Sequence, residues 1–271
     1  MITEIEIQQY LQLTIDLACE GGRLAKSLIG KTKSSFKDDK SIVTEADKRV
    51  QDRIVERLAK EFPSHGLIAE ENTPLAASRP KGDAEFVWTI DPIDGTRNFA
   101  KGIHIFCCSI ALLHQGRPIV GAIYEPNYEW LFSASVGGPA EFNRLPVQMR
   151  PVHFGPETVF GISINTYANR PVILHHLMDY CMLRNLGSTA LHLGMTAAGM
   201  MDGAIHFGGK LWDIAAGALI VEQAGGIIYP IDKNGLIIKK PLWPLDLKQY
   251  NNDALPFVAA NACLVDDLQK G

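Results

Sequence analysis

The sequence predicts a layered α/β protein of two interlocked halves, and three observations carry that expectation. Helical periodicity fills the first sixty or so positions, short β-rich runs take over at residue 66, and helices alternate with strands again after about residue 150. The halves are expected to be 1–145, an α+β unit, and 146–271, an α/β unit, acting together as one functional body. At 271 residues the chain reaches the size at which a single core stops growing, so two packed halves or one large domain are both open.

Residues 3–29 place Ile7, Tyr10, Leu11, Ile15, Ala18, Ala25, Leu28 and Ile29 on one helical stripe. Acids come early and Arg23 and Lys26 late, the order a helix dipole favours. A polar run, 31–40, follows. In the second helical pattern Val50, Ile54 and Leu58 recur every four residues until Pro63 stops it, and Thr44 with Asp47 has the spacing of a capping pair. The β-rich runs are 66–69, 86–90, 105–113, 118–124 and 130–136; turn residues at 114–117 and 125–127 make the last three an antiparallel meander. A strand is expected at 159–164, helices at 171–180, 188–201 and 212–224, the last closed by Gly225-Gly226, and strands at 227–231 and 257–260.

A net charge of -4 and a pI near 6.1 give no general pull toward nucleic acid or an anionic membrane, so any phosphate must be met by local devices. The five cysteines have no zinc-site spacing and sit in apolar surroundings; adjacent Cys107 and Cys108 are expected on opposite faces of a strand. With neither a signal-peptide start nor an eighteen-residue apolar run, a cytoplasmic protein without membrane contact is expected.

Chemistry concentrates in Trp88-Thr89-Ile90-Asp91-Pro92-Ile93-Asp94-Gly95-Thr96-Arg97-Asn98-Phe99, an apolar strand running into a polar turn. Strand ends are where α/β proteins place their sites. Two carboxylates three residues apart, joined through a proline that fixes φ, can point into one volume and bind hard divalent cations, with the Ile93 carbonyl as a further oxygen. Gly95 lets the backbone approach, and the N–H groups after it can face an anion if a helix begins there. A bare Asp-x-x-Asp would be read as a turn. The full Asp-Pro-x-Asp-Gly-Thr run after an apolar strand is far more specific.

With the runs Ser41-Ile42-Val43-Thr44-Glu45-Ala46-Asp47, Ile68-Ala69-Glu70-Glu71, Gly137-Gly138-Pro139-Ala140, Arg184-Asn185-Leu186-Gly187-Ser188-Thr189-Ala190 and Trp212-Asp213-Ile214-Ala215-Ala216-Gly217, the chain resembles the inositol monophosphatase family over roughly residues 5 to 265. That resemblance implies an αβαβα sandwich and a magnesium-dependent, lithium-sensitive type of phosphatase acting on a small phosphorylated metabolite. It implies that Glu70, Asp91, Asp94, Asp213 and the Ile93 carbonyl hold two or three Mg²⁺, most of these ligands lying in the first half. Glu70 and Thr96 would orient and deprotonate the attacking water, with Asp47 supporting Thr96. Asp94, Gly95, Thr96, Arg184, Gly187, Ser188, Thr189, His206 and Asp213 would bind substrate or phosphate. It also implies a homodimer, and some bacterial relatives take part in transcription complexes; direct nucleic-acid binding is not expected from the acidic balance.

The match departs from the family in two places. Inositol-specific relatives carry Glu seven residues before the metal-binding Asp, where this chain has His206. An imidazole there would favour substrates with a second anionic group, leaving histidinol phosphate, fructose 1,6-bisphosphate or a nucleotide open beside inositol phosphate. The family's lysine ahead of the Val-Thr run is also displaced, with Phe36 at its spacing and Lys37 next to it.

Overall fold

A computed structural model of the protein describes residues 2–36, 42–163, 171–232 and 234–270; Lys37, Ser41 and the expected strand end at Ile164 lie outside them. Helix α1 (Glu4–Leu28) opens on a capping box from Thr3 and Glu6. A hairpin of β1 (Ser34–Phe36) and β2 (Ile42–Thr44) leads into α2 (Glu45–Glu61), capped by Thr44 and Asp47 as their spacing predicts.

The larger sheet has seven strands in chain order: β3 (Gly66–Ala69), β4 (Phe86–Asp94), β5 (Cys107–His114), β6 (Arg117–Glu125), β7 (Trp130–Ser135), β8 (Ala140–Phe142) and β9 (Leu145–Val147). Only β3 and β4 run parallel; the rest form the expected meander. Short helices α3 (Pro74–Ala77) and α4 (Thr96–Lys101) flank β4 in sequence. The smaller sheet takes β10 (Val159–Ser163), then, after α5 (Val172–Tyr180), β11 (Met182–Arg184), and, after α6 (Thr189–Ala197), β12 (Gly203–His206). Helix α7 (Leu211–Gln223), strands β13 (Ile227–Pro230) and β14 (Phe257–Ala260) and helix α8 (Ala262–Leu268) complete it, in the order β11-β10-β12-β14-β13.

Three apolar clusters define five layers. Leu17, Val50 and Ile54 of α1 and α2 pack on Trp88, Ile90 and Cys108 from one face of the larger sheet. The other face, with Cys107, Ile123 and Phe132, packs on Leu193 of α6 and Ile214 and Leu219 of α7, which Phe257 and Ala259 of the smaller sheet cover from behind. Leu174 of α5 and Leu264 of α8 close the far side of that sheet. The order is αβαβα. Helix α7 is apolar on nearly all sides because a sheet lies on each of them. Gly121 of β6 makes this possible: a Cβ there would stand 2.8 Å from the Ala216 Cα of α7.

Three sequence expectations are corrected. Helix α6 stops at Ala197 rather than 201, because Gly199 turns to φ 72° and ends it. Strand β4 extends through Asp94 rather than ending at 90. Strand β12 was not anticipated, since Gly203-Ala204-Ile205-His206 has one β-preferring residue; it exists because β10 pairs with it on one side and β14 on the other.

Candidate active site

On a regular strand, residues 91 and 94 would point to opposite faces, because side chains alternate. The β4–β5 ladder has a bulge here. Asp91 pairs with Ser109 and Asp94 with Cys107, three steps on one strand against two on the other, so both carboxylates end on the face turned to α6 and α7. The Ile93 N–H donates to Asp91 Oδ1 at 3.0 Å and fixes the turn. Both aspartates are buried.

The second half grips both. Ser188, the N-cap of α6, donates its hydroxyl to Asp94 Oδ2 at 2.7 Å, and the Ala190 N–H donates to the same oxygen. The Cys107 thiol lies 3.5 Å from Ser188 Oγ, which ties β5 to the same corner. Asn98 of α4 donates to both Ile105 O and Leu186 O at 2.7 Å, and Gly187, at φ 77°, lies so close to Asn98 that a Cβ would collide with it. Asp213 enters on the first turn of α7, where the Lys210 N–H donates to its Oδ2 at 2.7 Å. Asp91 and Asp213 share a hydrogen bond.

Burial is the main reason these acids bind a proton more tightly than a free aspartate does. It raises Asp94 to about 6 against the Ser188 and Ala190 hydrogen bonds, which favour the anion. Burial and then the Asp94 charge raise Asp213 to about 7, and burial with the charges of Glu70, Asp94 and Asp213 pushes Asp91 well above the aspartate range. Among the described residues no three acid, histidine or cysteine side chains are already drawn into one ion-sized cage. The donors are nonetheless all hard oxygens, the Ile93 carbonyl included, and four acids within electrostatic reach can ionise together only with cations among them. The residue set fits divalent metal.

Glu70 follows β3 directly, and its N–H donates to Ile90 O at 3.1 Å. Its neighbour Glu71 is held by Gln51, whose amide accepts from the Glu71 N–H at 2.8 Å and donates to the Glu71 carbonyl at 2.6 Å. Nothing in the sequence marked Gln51, which looks like any polar helix residue until the fold brings β3 against α2. Asp47 takes two roles. Its Oδ2 accepts from Thr44 N and Oγ1, and its Oδ1 faces Thr96 Oγ1 at 3.2 Å. Thr96 also lies 3.0 Å from Ile93 O, so its single hydroxyl proton has two acceptors to choose between. Burial raises Asp47 to about 6. Gly95, at φ 106°, turns the chain into α4.

Of the remaining candidates, Thr189 is buried at the start of α6 beside Asp94, whereas Arg184 is exposed on β11, its Nη1 donating to Leu183 O. His206, the residue expected to help choose the substrate, ends β12. It is buried, stacks on Phe257 at 6.0 Å, and its Nδ1 accepts from the Gly208 N–H, while burial lowers it to about 4 and keeps it neutral.

A five-layer α/β fold that closes a carboxylate cluster between a bulged strand end and two helix N-termini is the architecture of a phosphate-ester hydrolase. The model of the inositol monophosphatase family matches residues 5–257. The Nus factor SuhB of Pasteurella multocida is 36% identical over 82% of this chain and 85% of its own, and the inositol-1-monophosphatase of Mesorhizobium japonicum 33% over the same shares. The crystal structure of the extragenic suppressor protein suhB of Bartonella henselae superposes with a TM-score of 0.83 at 27% identity, covering 97% of each chain. The chain belongs to the inositol monophosphatase family, whose members are metal-dependent phosphatases acting on small phosphorylated substrates. Among the described residues no helix is long and apolar enough to cross a membrane.

Proposed function

We propose that the chain hydrolyses a small phosphate monoester by direct attack of water, with two or three Mg²⁺ held by Glu70, Asp91, Asp94, Asp213 and the Ile93 carbonyl. The observation that carries this reading is the bulge that turns Asp91 and Asp94 to one face, against Asp213. Divalent cations in such a set acidify bound water and neutralise the phosphoryl oxygens.

The chain's own residues supply direction. Glu70 follows β3, on one side of β4, and Ser188 sits against Cys107 of β5, on the other. A phosphoryl group above the end of β4 then has Glu70 on its water side and the start of α6 on its alcohol side. When Thr96 gives its proton to Asp47, its lone pairs accept from the water, and Glu70 removes a water proton. The water oxygen bonds to phosphorus as the ester P–O bond breaks. The departing oxygen is protonated from solvent, giving alcohol and inorganic phosphate. Gly95 and Thr96 N–H groups steady the phosphoryl oxygens.

Release of phosphate from a panel of inositol, sugar, histidinol and nucleotide phosphates, with chelator and with Mg²⁺ restored, tests the reading. Activity lost to chelator and regained with Mg²⁺ is expected, and undiminished turnover in chelator would overturn the metal mechanism. The likeness to a Nus factor favours a second, compatible role with a protein partner, which a chelator-inactivated protein should retain in a binding assay.

A further inference from the structure

A cleft of about 540 Å³ begins at Glu70 and runs along the outer edge of β3. Its far wall is the segment 247–252, continuous with Leu245, which packs against the first half. Leu245 N–H donates to Gly116 O, and Gly82 and Gly116 have no side chains where Leu247 O and Leu245 O press in. At its other end Tyr250 accepts from Leu211 N–H at the start of α7, and the Lys210 ammonium donates to Asn252 O. This wall is therefore fixed to the site rather than loosely draped. Lys81 and Lys248 line the cleft, and neither makes an ion pair among the described residues. Glu71 and Asp83 are also in the lining.

We infer that this cleft is the departure route for inorganic phosphate, with Lys81 and Lys248 drawing the product out. The inference rests on the hydrolase reading and on stereochemistry. In-line attack puts the leaving alcohol opposite the water, and inversion carries phosphorus toward the side from which water came. That side is Glu70, where the cleft opens. The alcohol leaves past Ser188, so the two products separate along different paths. An ester alcohol bound in the cleft would block the attacking water, which excludes it as the substrate's own pocket. Two exposed ammonium groups attract an oxyanion, and the carboxylates of Glu70, Glu71 and Asp83 in the same lining oppose them, so the product is passed on rather than held.

The test is product inhibition by inorganic phosphate in the Mg²⁺-loaded enzyme and in Lys81→Gln, Lys248→Gln and the double variant. The double variant should raise the inhibition constant roughly fivefold or more, and flatten its dependence on ionic strength, while kcat/KM for the ester stays within about twofold. Asp83→Asn should shift the constant the opposite way. Calorimetric titration of inorganic phosphate reads the same ratio without turnover, and melting curves establish that the variants fold. An unchanged constant overturns the inference, as does a KM that rises in step with it, since the lysines would then serve the ester. A wild-type protein that releases phosphate from no ester in the panel would instead sink the hydrolase reading.

Discussion

Removing divalent cations should make the protein measurably less stable, and more so as pH rises. Asp94 goes from an ordinary 3.8 to about 6 in the fold, and Asp213 to about 7. An acid whose folded pKa is raised costs nothing below its unfolded value; as pH climbs through the folded value it must either keep a proton that the unfolded chain releases or ionise against its surroundings. For Asp94 alone the cost at neutral pH is on the order of 3 kcal/mol. In chelator the melting temperature should therefore fall between about pH 4.5 and 7.5. A cation that binds only the folded state at a hundred times its Kd restores about 2.7 kcal/mol. That corresponds to roughly 5–10 °C for a chain of this size. Asp94→Asn separates charge from packing, because the Ser188 and Ala190 hydrogen bonds fall on one oxygen that the amide can reproduce. In chelator at pH 7.5 the variant should melt a few degrees above wild type, and it should gain little from Mg²⁺. Calorimetric melts across pH, with and without Mg²⁺, decide this. A wild type whose melting in chelator is level or rising over that pH range, or an Asn variant that melts lower, would refute the reasoning.

Thr96→Ala should lower kcat by roughly ten- to a hundredfold with KM nearly constant; a raised KM at constant kcat would reassign Thr96 to holding the phosphate. Ser188→Ala removes both the α6 cap and a hydrogen bond to a carboxylate, and should cost about 1.5–3 kcal/mol in denaturant midpoints. Gly121→Val presses a side chain on the Ala216 backbone, and should cost about 3 kcal/mol or more and reduce soluble yield. Gln51→Leu strands the buried amide and carbonyl of Glu71, so Mg²⁺ affinity measured by titration should weaken through the displaced Glu70.

Much of this was legible from residues because local rules and tertiary context agreed. The Thr44–Asp47 cap, the strands 66–69 and 257–260, the meander and the run from Asp91 to Thr96 all follow from short-range chemistry. What escaped depends on neighbours distant in sequence. The bulge that aligns Asp91 with Asp94 is a property of pairing with β5, not of the Asp-Pro-Ile-Asp string. Strand β12 is made by its two partners. His206 was singled out by comparing its position with a carboxylate, and its stacking on Phe257 and its hydrogen bond from Gly208 become visible only in the fold.

The grip of Ser188 and Ala190 on Asp94 has a consequence for biosynthesis. The first half can be complete as a sheet while its aspartate pair still lacks the helix starts and the Asp213 carboxylate that arrive about a hundred residues later. A chain emerging from the ribosome would hold cations weakly until α7 has docked. Ion capture would then mark the end of assembly, and fragments of either half would make poor scavengers of divalent cations.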